Sequence, residues 1–274
     1  MTTANKLSAL RKTTLIASTC AFIIAVFAAI YLYILYFTPA PYNAGHPMLI
    51  AHAGGQIDGH TYTNSIEALE SSIQKGYRHI ELDLLETLDG HIVAAHDWKH
   101  YHEITGGSGD TPLTIHEFAQ RKIHGKYTPI TYKDINSYFT KHNLVLVTDK
   151  IENYDLLLKE INLPRERLLV ETFSHKQYRK ALGKGVKYPM LCLWDKASLD
   201  EHSQRLWGGS VAMLTVPVNI ILEAEKELAA QTSKGVGVFA FTSNDVDFVE
   251  RHMGATVTGF YTDFITPNDI SIQK

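Results

Sequence analysis

The sequence predicts an α/β protein, a (β/α)8 barrel of the TIM type preceded by one N-terminal transmembrane helix. Three observations predict it. Short apolar runs alternate with longer amphipathic segments from Met48 onward, a pattern that implies a parallel sheet with helical crossovers. The 274-residue chain has room for about eight such units, the number that closes a barrel. Histidines and carboxylates stand at the ends of several apolar runs, where barrel enzymes keep their chemistry. The rival architecture, an open doubly wound sheet, lacks a glycine-rich fingerprint after any strand.

The N-terminal element comes first. Lys6, Arg11 and Lys12 are the only charges before Asp58, and Thr13–Phe37 carries none. As a helix that run would measure about 37 Å at ~1.5 Å per residue, against a hydrocarbon core of about 30 Å. Tyr31, Tyr33 and Tyr36 at its far end suit an interfacial belt. The alternative is a cleaved signal peptide, but no small-x-small site follows the run. The expected order is a basic cytoplasmic segment (1–12), a transmembrane anchor (13–37), a linker rich in proline and small residues (38–47) and a barrel domain (48–274). Positive residues before the span place the domain on the extracytoplasmic side of the cytoplasmic membrane. Cys20 falls within the span and Cys192 is alone in the domain, so no disulfide forms inside the domain and the redox compartment leaves no mark.

Strands are expected at 48–51, 79–84, 92–95, 144–148, 167–172, 188–194, 211–216, 236–241 and 259–262. That is one more than a ring needs. Asp89-Gly90 is a tight-turn signal, so 92–95 is expected to pair locally with the strand before it. Helices are expected at 64–75, 134–141, 154–161, 175–182, 199–206, 220–231 and 246–253. Gly76, Gly183, Gly208, Gly235 and Gly254 stand where C-cap glycines belong. The net charge is −3 with +3 in the first twelve residues, so the domain is net acidic. That argues against nucleic acid as a partner.

The chemistry concentrates in 49–97. Glu81 and Asp83 lie two apart on one strand and so face the same side. Two carboxylates converging inside a barrel repel unless a cation sits between them, and a hard divalent ion such as Mg²⁺ or Ca²⁺ answers that need. Asp149, at the end of LVLVTDK, offers a third carboxylate. Lys150 beside it suits a phosphate oxygen, although spacing alone reads equally as a surface lysine. His52 ends the first strand before Ala53-Gly54-Gly55, and His96 ends AAHD. A histidine pair suits general acid–base work near neutral pH. The chain has 14 histidines, so most serve in ordinary hydrogen bonding. Gly106–Gly109 reads as a flexible lip after His96.

These residues resemble the glycerophosphodiester phosphodiesterase family, within the phosphatidylinositol-specific phospholipase C-like barrels. The resemblance is carried by His52-Ala53-Gly54, Asn64-Ser65-Ile66-Glu67-Ala68, Glu81-Leu82-Asp83, Thr87-Leu88-Asp89-Gly90 and His96-Asp97. Weaker matches follow at Glu171-Thr172-Phe173 and Gly259–Asp263. It implies a phosphoric diester hydrolase acting on glycerophosphodiester or lysophospholipid-like substrates, with His52 and His96 as acid and base, passing in some relatives through a cyclic phosphate. The metal would be held by Glu81, Asp83 and Asp149. The chain departs from the family at Ala53, where arginine is usual, and at Thr63, where glutamate is usual. The family's third acid lies two before a lysine, which here is Thr148. Use of Asp149 therefore implies a local shift of strand register. The rival functions are a non-catalytic, membrane-tethered binding barrel, supported by the two departures, and a retaining glycosidase, for which paired histidines are unnecessary.

Overall fold

In a computed structural model, residues 18–29, 48–204 and 211–271 are described. The chain divides into two compact units, 1–38 and 39–274. Of the expected anchor, only 18–29 are described; they form a helix, α1, with an exposed surface. No helix among the described residues is long and apolar enough to cross a membrane. The remainder of the anchor, the basic segment 1–12 and the whole of the linker lie outside the described residues.

The second unit is a closed barrel. Its strands are β1 (Met48–Ala51), β2 (His79–Glu86), β3 (Ile92–Ala94), β4 (Val145–Asp149), β5 (Leu168–Thr172), β6 (Tyr188–Cys192), β7 (Met213–Pro217), β8 (Gly237–Phe241) and β9 (Gly259–Thr262). The order β1-β9-β8-β7-β6-β5-β4-β2 closes through a β1–β2 pairing, and every pair in the ring is parallel. The ninth strand, β3, lies outside the ring and pairs antiparallel with the end of β2, as the Asp89-Gly90 turn implies.

Alternation along the strands builds two cores. Met48 and Ile50, Val147, Leu169, Tyr188 and Met190, Met213, Phe239 and Tyr261 point inward and fill the barrel. The opposite strand faces carry Ile80, Leu82, Leu146, Val170, Leu191, Leu214, Val238 and Phe260 into a larger core beneath the helices. Those helices are α2 (Ile66–Gln74), α5 (Tyr132–Lys141), α6 (Tyr154–Glu160), α7 (His175–Lys184), α8 (Lys196–Gln204), α9 (Val218–Ser233) and α10 (Val246–His252). Ser65, Asn153, Ser174 and Asp245 cap α2, α6, α7 and α10 through side-chain oxygens, which satisfy amides that have no partner within the helix.

Three details differ from expectation. Gly183 is inside α7, and the left-handed C-cap is Gly185. Gly208 lies outside the described residues. Two short helices, α3 (Trp98–Ile104) and α4 (Ile115–Gln120), occupy a stretch expected to be loop. They cover a satellite core of Val93, Tyr101, Leu113, Phe118, Ile123 and Tyr127. Gly106–Gly109 lies in the connection between them, with Gly107 packed close to Arg121 and His102. It does not line the site described next.

Candidate active site

The polar residues of the barrel gather where the inward alternation runs on to the C-terminal strand ends. On β4, Val145 and Val147 face in, so Asp149 faces in too. No register shift is needed, and the expected shift is corrected by this phase. Thr148 faces the other way and is fully buried. Cross-strand pairing sets Asp83 beside Asp149. One carboxylate oxygen each of Glu81, Asp83 and Asp149 lies within 4.8 Å of the others.

These acids are held by the chain's first loops. The amide of Ala53 donates to Glu81 Oε2 at 2.6 Å. Asn64 grips Asp83 reciprocally: its Nδ2 donates to Asp83 Oδ2 at 2.9 Å, and its Oδ1 accepts from the Asp83 amide at 3.1 Å. The loop between Ala53 and Asn64 is tight. Gly55 has a φ of +91° and a Cβ there would meet the Ser72 hydroxyl at 2.3 Å, so only glycine fits. Asp149 Oδ1 is buried with no hydrogen-bond partner among the described residues. A buried, unpartnered carboxylate oxygen is costly. An all-oxygen set of three carboxylates fits a hard divalent cation, and the acidic cluster can therefore hold one such metal. Burial, and then repulsion from Asp83 and Asp149, pushes the Glu81 carboxyl well above its ordinary range. Burial and the charges of Asp83 and Glu171 do the same for Asp149.

Lys150 projects from a residue with φ of +60°, and its Nζ lies 3.6 Å from Asp149 Oδ2. Burial works to lower its pKa, but Asp149, Asp83 and Glu81 together raise it, so it stays an ammonium.

The two histidines have matching arrangements. β1 and β9 are paired through Ala51 and Thr262; the next residue on each is His52 and Asp263, and His52 Nδ1 meets Asp263 Oδ1 at 2.9 Å. Asp263 is fixed in turn by Asn244 Nδ2 at 2.6 Å. Burial works to raise the Asp263 carboxyl, but hydrogen bonds from His52 and Asn244 outweigh it and hold the group below its ordinary value. His96 Nδ1 lies 2.7 Å from Asp97 Oδ2, while Asp97 Oδ1 caps α3 by accepting from the His100 amide at 2.7 Å. Each Nδ1 is thus tied to an anchored carboxylate. Neither Nε2 has a hydrogen-bond partner among the described residues.

His52, His96, Glu81, Asp83, Asp149 and Lys150 all line one cleft of about 600 Å³, a volume that includes its open mouth. The structure therefore brings together all six residues singled out from the sequence. It adds others. Glu171 is the inward residue after Leu169 on β5 and is buried; it accepts from Thr215 Oγ1 at 3.0 Å and from the Tyr261 hydroxyl. Its signal was the same as that of Asp149, an acid in phase with an apolar inward residue. Phe173, Trp194 and Phe241 form one wall, with Phe173 and Trp194 stacked at 5.9 Å and Trp194 edge-on to Phe241 at 5.5 Å. Tyr62 also lines the cleft, and nothing in the sequence pattern marked it.

The Glycerophosphoryl diester phosphodiesterase family profile matches residues 52–155, the stretch that carries both histidines and the three acids. The chain is thus similar to glycerophosphodiester phosphodiesterases over the stretch that builds the site, and the likeness supports a phosphoric diester hydrolase. A glycerophosphodiester phosphodiesterase of Caldanaerobacter subterraneus subsp. tengcongensis is 25% identical over 234 residues, covering 79% of this chain and 93% of that protein. The barrel is similar to an Oleispira antarctica phosphodiesterase solved with the product sn-glycerol-3-phosphate (TM-score 0.67, 18% identity, 80% of this chain and 94% of that one). It is also similar to the Thermotoga maritima glycerophosphodiester phosphodiesterase (TM-score 0.64, 21% identity, 80% and 95%). Against that family the two departures have structural consequences. At Ala53 only the backbone serves the site, through Glu81. Thr63 is buried and its hydroxyl bonds to that of Ser65 at 3.0 Å, so it supplies no charge to the cleft.

Proposed function

We propose that this protein cleaves a glycerophosphodiester or a lysophospholipid-like diester, with Glu81, Asp83 and Asp149 holding Mg²⁺ or Ca²⁺ and His52 and His96 exchanging protons. The observation that carries the reading is the shared arrangement of the two imidazoles. Each has Nδ1 fixed by a carboxylate, and each opens Nε2 to a cleft floored by three acids. A carboxylate on Nδ1 sets the tautomer and stabilises the imidazolium. One Nε2 is then ready to take a proton from the attacking hydroxyl, and the other to give one to the leaving oxygen. A bound divalent cation supplies Lewis-acid charge to the phosphate. Lys150 offers a second positive charge to a phosphate oxygen. Attack by a neighbouring substrate hydroxyl would yield a cyclic phosphate.

The aromatic wall of Phe173, Trp194 and Phe241 lines the same cleft and suits the alcohol portion of the diester. The uncharged 13–37 run supports anchoring in the cytoplasmic membrane with the barrel on its outer side. The test is hydrolysis of glycerophosphodiesters and lysophospholipids by the full-length protein, with and without EDTA. EDTA, His52→Ala and His96→Ala are each expected to lower turnover at least 100-fold. Turnover by both variants at the wild-type rate refutes the reading.

A further inference from the structure

Tyr62 packs against both histidines. Its ring centroid is 4.6 Å from that of His52 with the planes at 81°, and 5.2 Å from that of His96 with the planes at 89°. Both are edge-to-face contacts, the arrangement aromatic pairs prefer. A third, looser contact runs to His100 at 6.5 Å. One side chain thus touches both groups to which the proposed reaction assigns proton transfer, although those groups come from strand ends far apart in sequence.

The backbone at Tyr62 points the same way. Its φ is +56°, an uncommon conformation for a bulky L-residue. Such outliers persist where surrounding structure over-determines them, and they cluster at functional sites. Here the loop is pinned at both ends. Gly55 N donates to His52 O at 2.7 Å and Gln56 N to Asp263 O at 2.7 Å. At the other end Asn64 N donates to Ala53 O at 3.1 Å, and the Asn64 side chain is locked onto Asp83. Every one of those anchors belongs to the site or its support. The Tyr62 hydroxyl makes no hydrogen bond to any described residue, so the ring alone accounts for the residue's contacts in the cleft.

We propose that Tyr62 is a positioning residue, which wedges the His52 and His96 imidazoles at the spacing and tilt the reaction needs; this rests on the function proposed above. The Asp263 and Asp97 carboxylates each fix one nitrogen of a ring, and a single hydrogen bond still lets a ring swing about it. A perpendicular ring packed against both imidazoles removes that freedom. Misplacement of reacting groups by about 1 Å can cost ~100-fold in rate, which sets the scale of the effect.

The experiment compares Tyr62→Phe and Tyr62→Ala in the full-length protein with saturating divalent cation. Tyr62→Phe keeps the ring and is expected to retain kcat within about 3-fold. Tyr62→Ala removes it and is expected to lose roughly 30- to 100-fold in kcat with KM changed by less than about 3-fold, since an orientation effect acts on turnover. Imidazole NMR of the same proteins gives a readout independent of turnover: the His52 and His96 ring resonances should shift and broaden in Tyr62→Ala while those of His91 and His252 stay in place. A Tyr62→Ala enzyme with wild-type kcat overturns the proposal. So does a Tyr62→Phe enzyme as slow as Tyr62→Ala, because the hydroxyl would then be the acting group. If the wild type turns over no diester, the reading of function has failed; unmoved His52 and His96 resonances in Tyr62→Ala would overturn the wedge itself.

Discussion

Asp149→Asn separates the structural cost of the acidic cluster from its use. The three carboxylate oxygens lie within 4.8 Å of one another. At that outer separation two full charges repel by about 3.5 kcal/mol at an effective dielectric of ~20. The metal-free protein relieves part of this by holding protons, as the raised Glu81 and Asp149 carboxyls show. An amide at 149 removes one member from two of the three pairs. Against this stands the loss of the Lys150 contact at 3.6 Å, whose lysine end is partly exposed, worth about 1 kcal/mol. The net expectation in EDTA is a variant more stable than wild type by ~1–3 kcal/mol, or roughly 3–8 °C in Tm for a domain of this size. Divalent cation works against that ranking. An ion at 100 times its Kd stabilises the wild type by about 2.7 kcal/mol, and the variant, lacking the acid whose buried oxygen has no partner among the described residues, should gain almost nothing at the same concentration. The assay is thermal unfolding of both proteins in EDTA and across a titration of Mg²⁺ and Ca²⁺. A variant that is less stable than wild type in EDTA, and that gains as much from the ion, refutes the reasoning.

Two further outcomes follow from the same geometry. Because the Glu81 and Asp149 carboxyls are raised in the native state, the folded metal-free protein binds more protons than the unfolded chain from about pH 4 up to those raised values, and its stability falls as pH rises through that window. The ion needs carboxylates, so the Tm increment it confers should grow between pH 5 and 8; an increment that is flat or shrinks with pH counts against the cluster as the binding site. Asn64→Ala removes both hydrogen bonds to Asp83 and puts a Cβ residue without a compensating side chain at φ of +46°, for an expected loss of about 3–5 kcal/mol. Asn64→Gly should lose about 1 kcal/mol less, and urea unfolding of the two variants checks both the size and the order.

How much of this was legible in the sequence depends on how local each feature is. Two-residue alternation on β2 places Glu81 and Asp83 on one face, and Asp89-Gly90 sets β3 apart as a hairpin partner; both are local, and both stand. Asp149 was also local, since Val145 and Val147 share its phase, but a pattern anchored on Lys150 pulled the reading toward a register shift that the strand does not make. α4 carried a legible signal in Thr114 and Glu117, a capping box that the structure forms. α3 offered less, because only Tyr101 and His102 in its seven residues are buried and its cap, Asp97, read instead as part of the His-Asp end.

What no local pattern carried is what ring closure produces. His52 and Asp263 are 211 residues apart and become neighbours only because β9 returns to β1. Glu171 finds its partners on β7 and β9 for the same reason. Tyr62 is the extreme case: its role depends on a backbone conformation that its residue type disfavours, held by hydrogen bonds from Asn64 and Gln56 to distant strands. Sequence reasoning from propensity and periodicity ranks such a residue as loop, since the energy that places it there is supplied by the assembled barrel. A site assembled this way can lose charged members of the family's pattern, as at Ala53 and Thr63, and still hold its imidazoles in place. The backbone of Ala53 and the ring of Tyr62 act there through geometry, which the identity of a single side chain does not reveal.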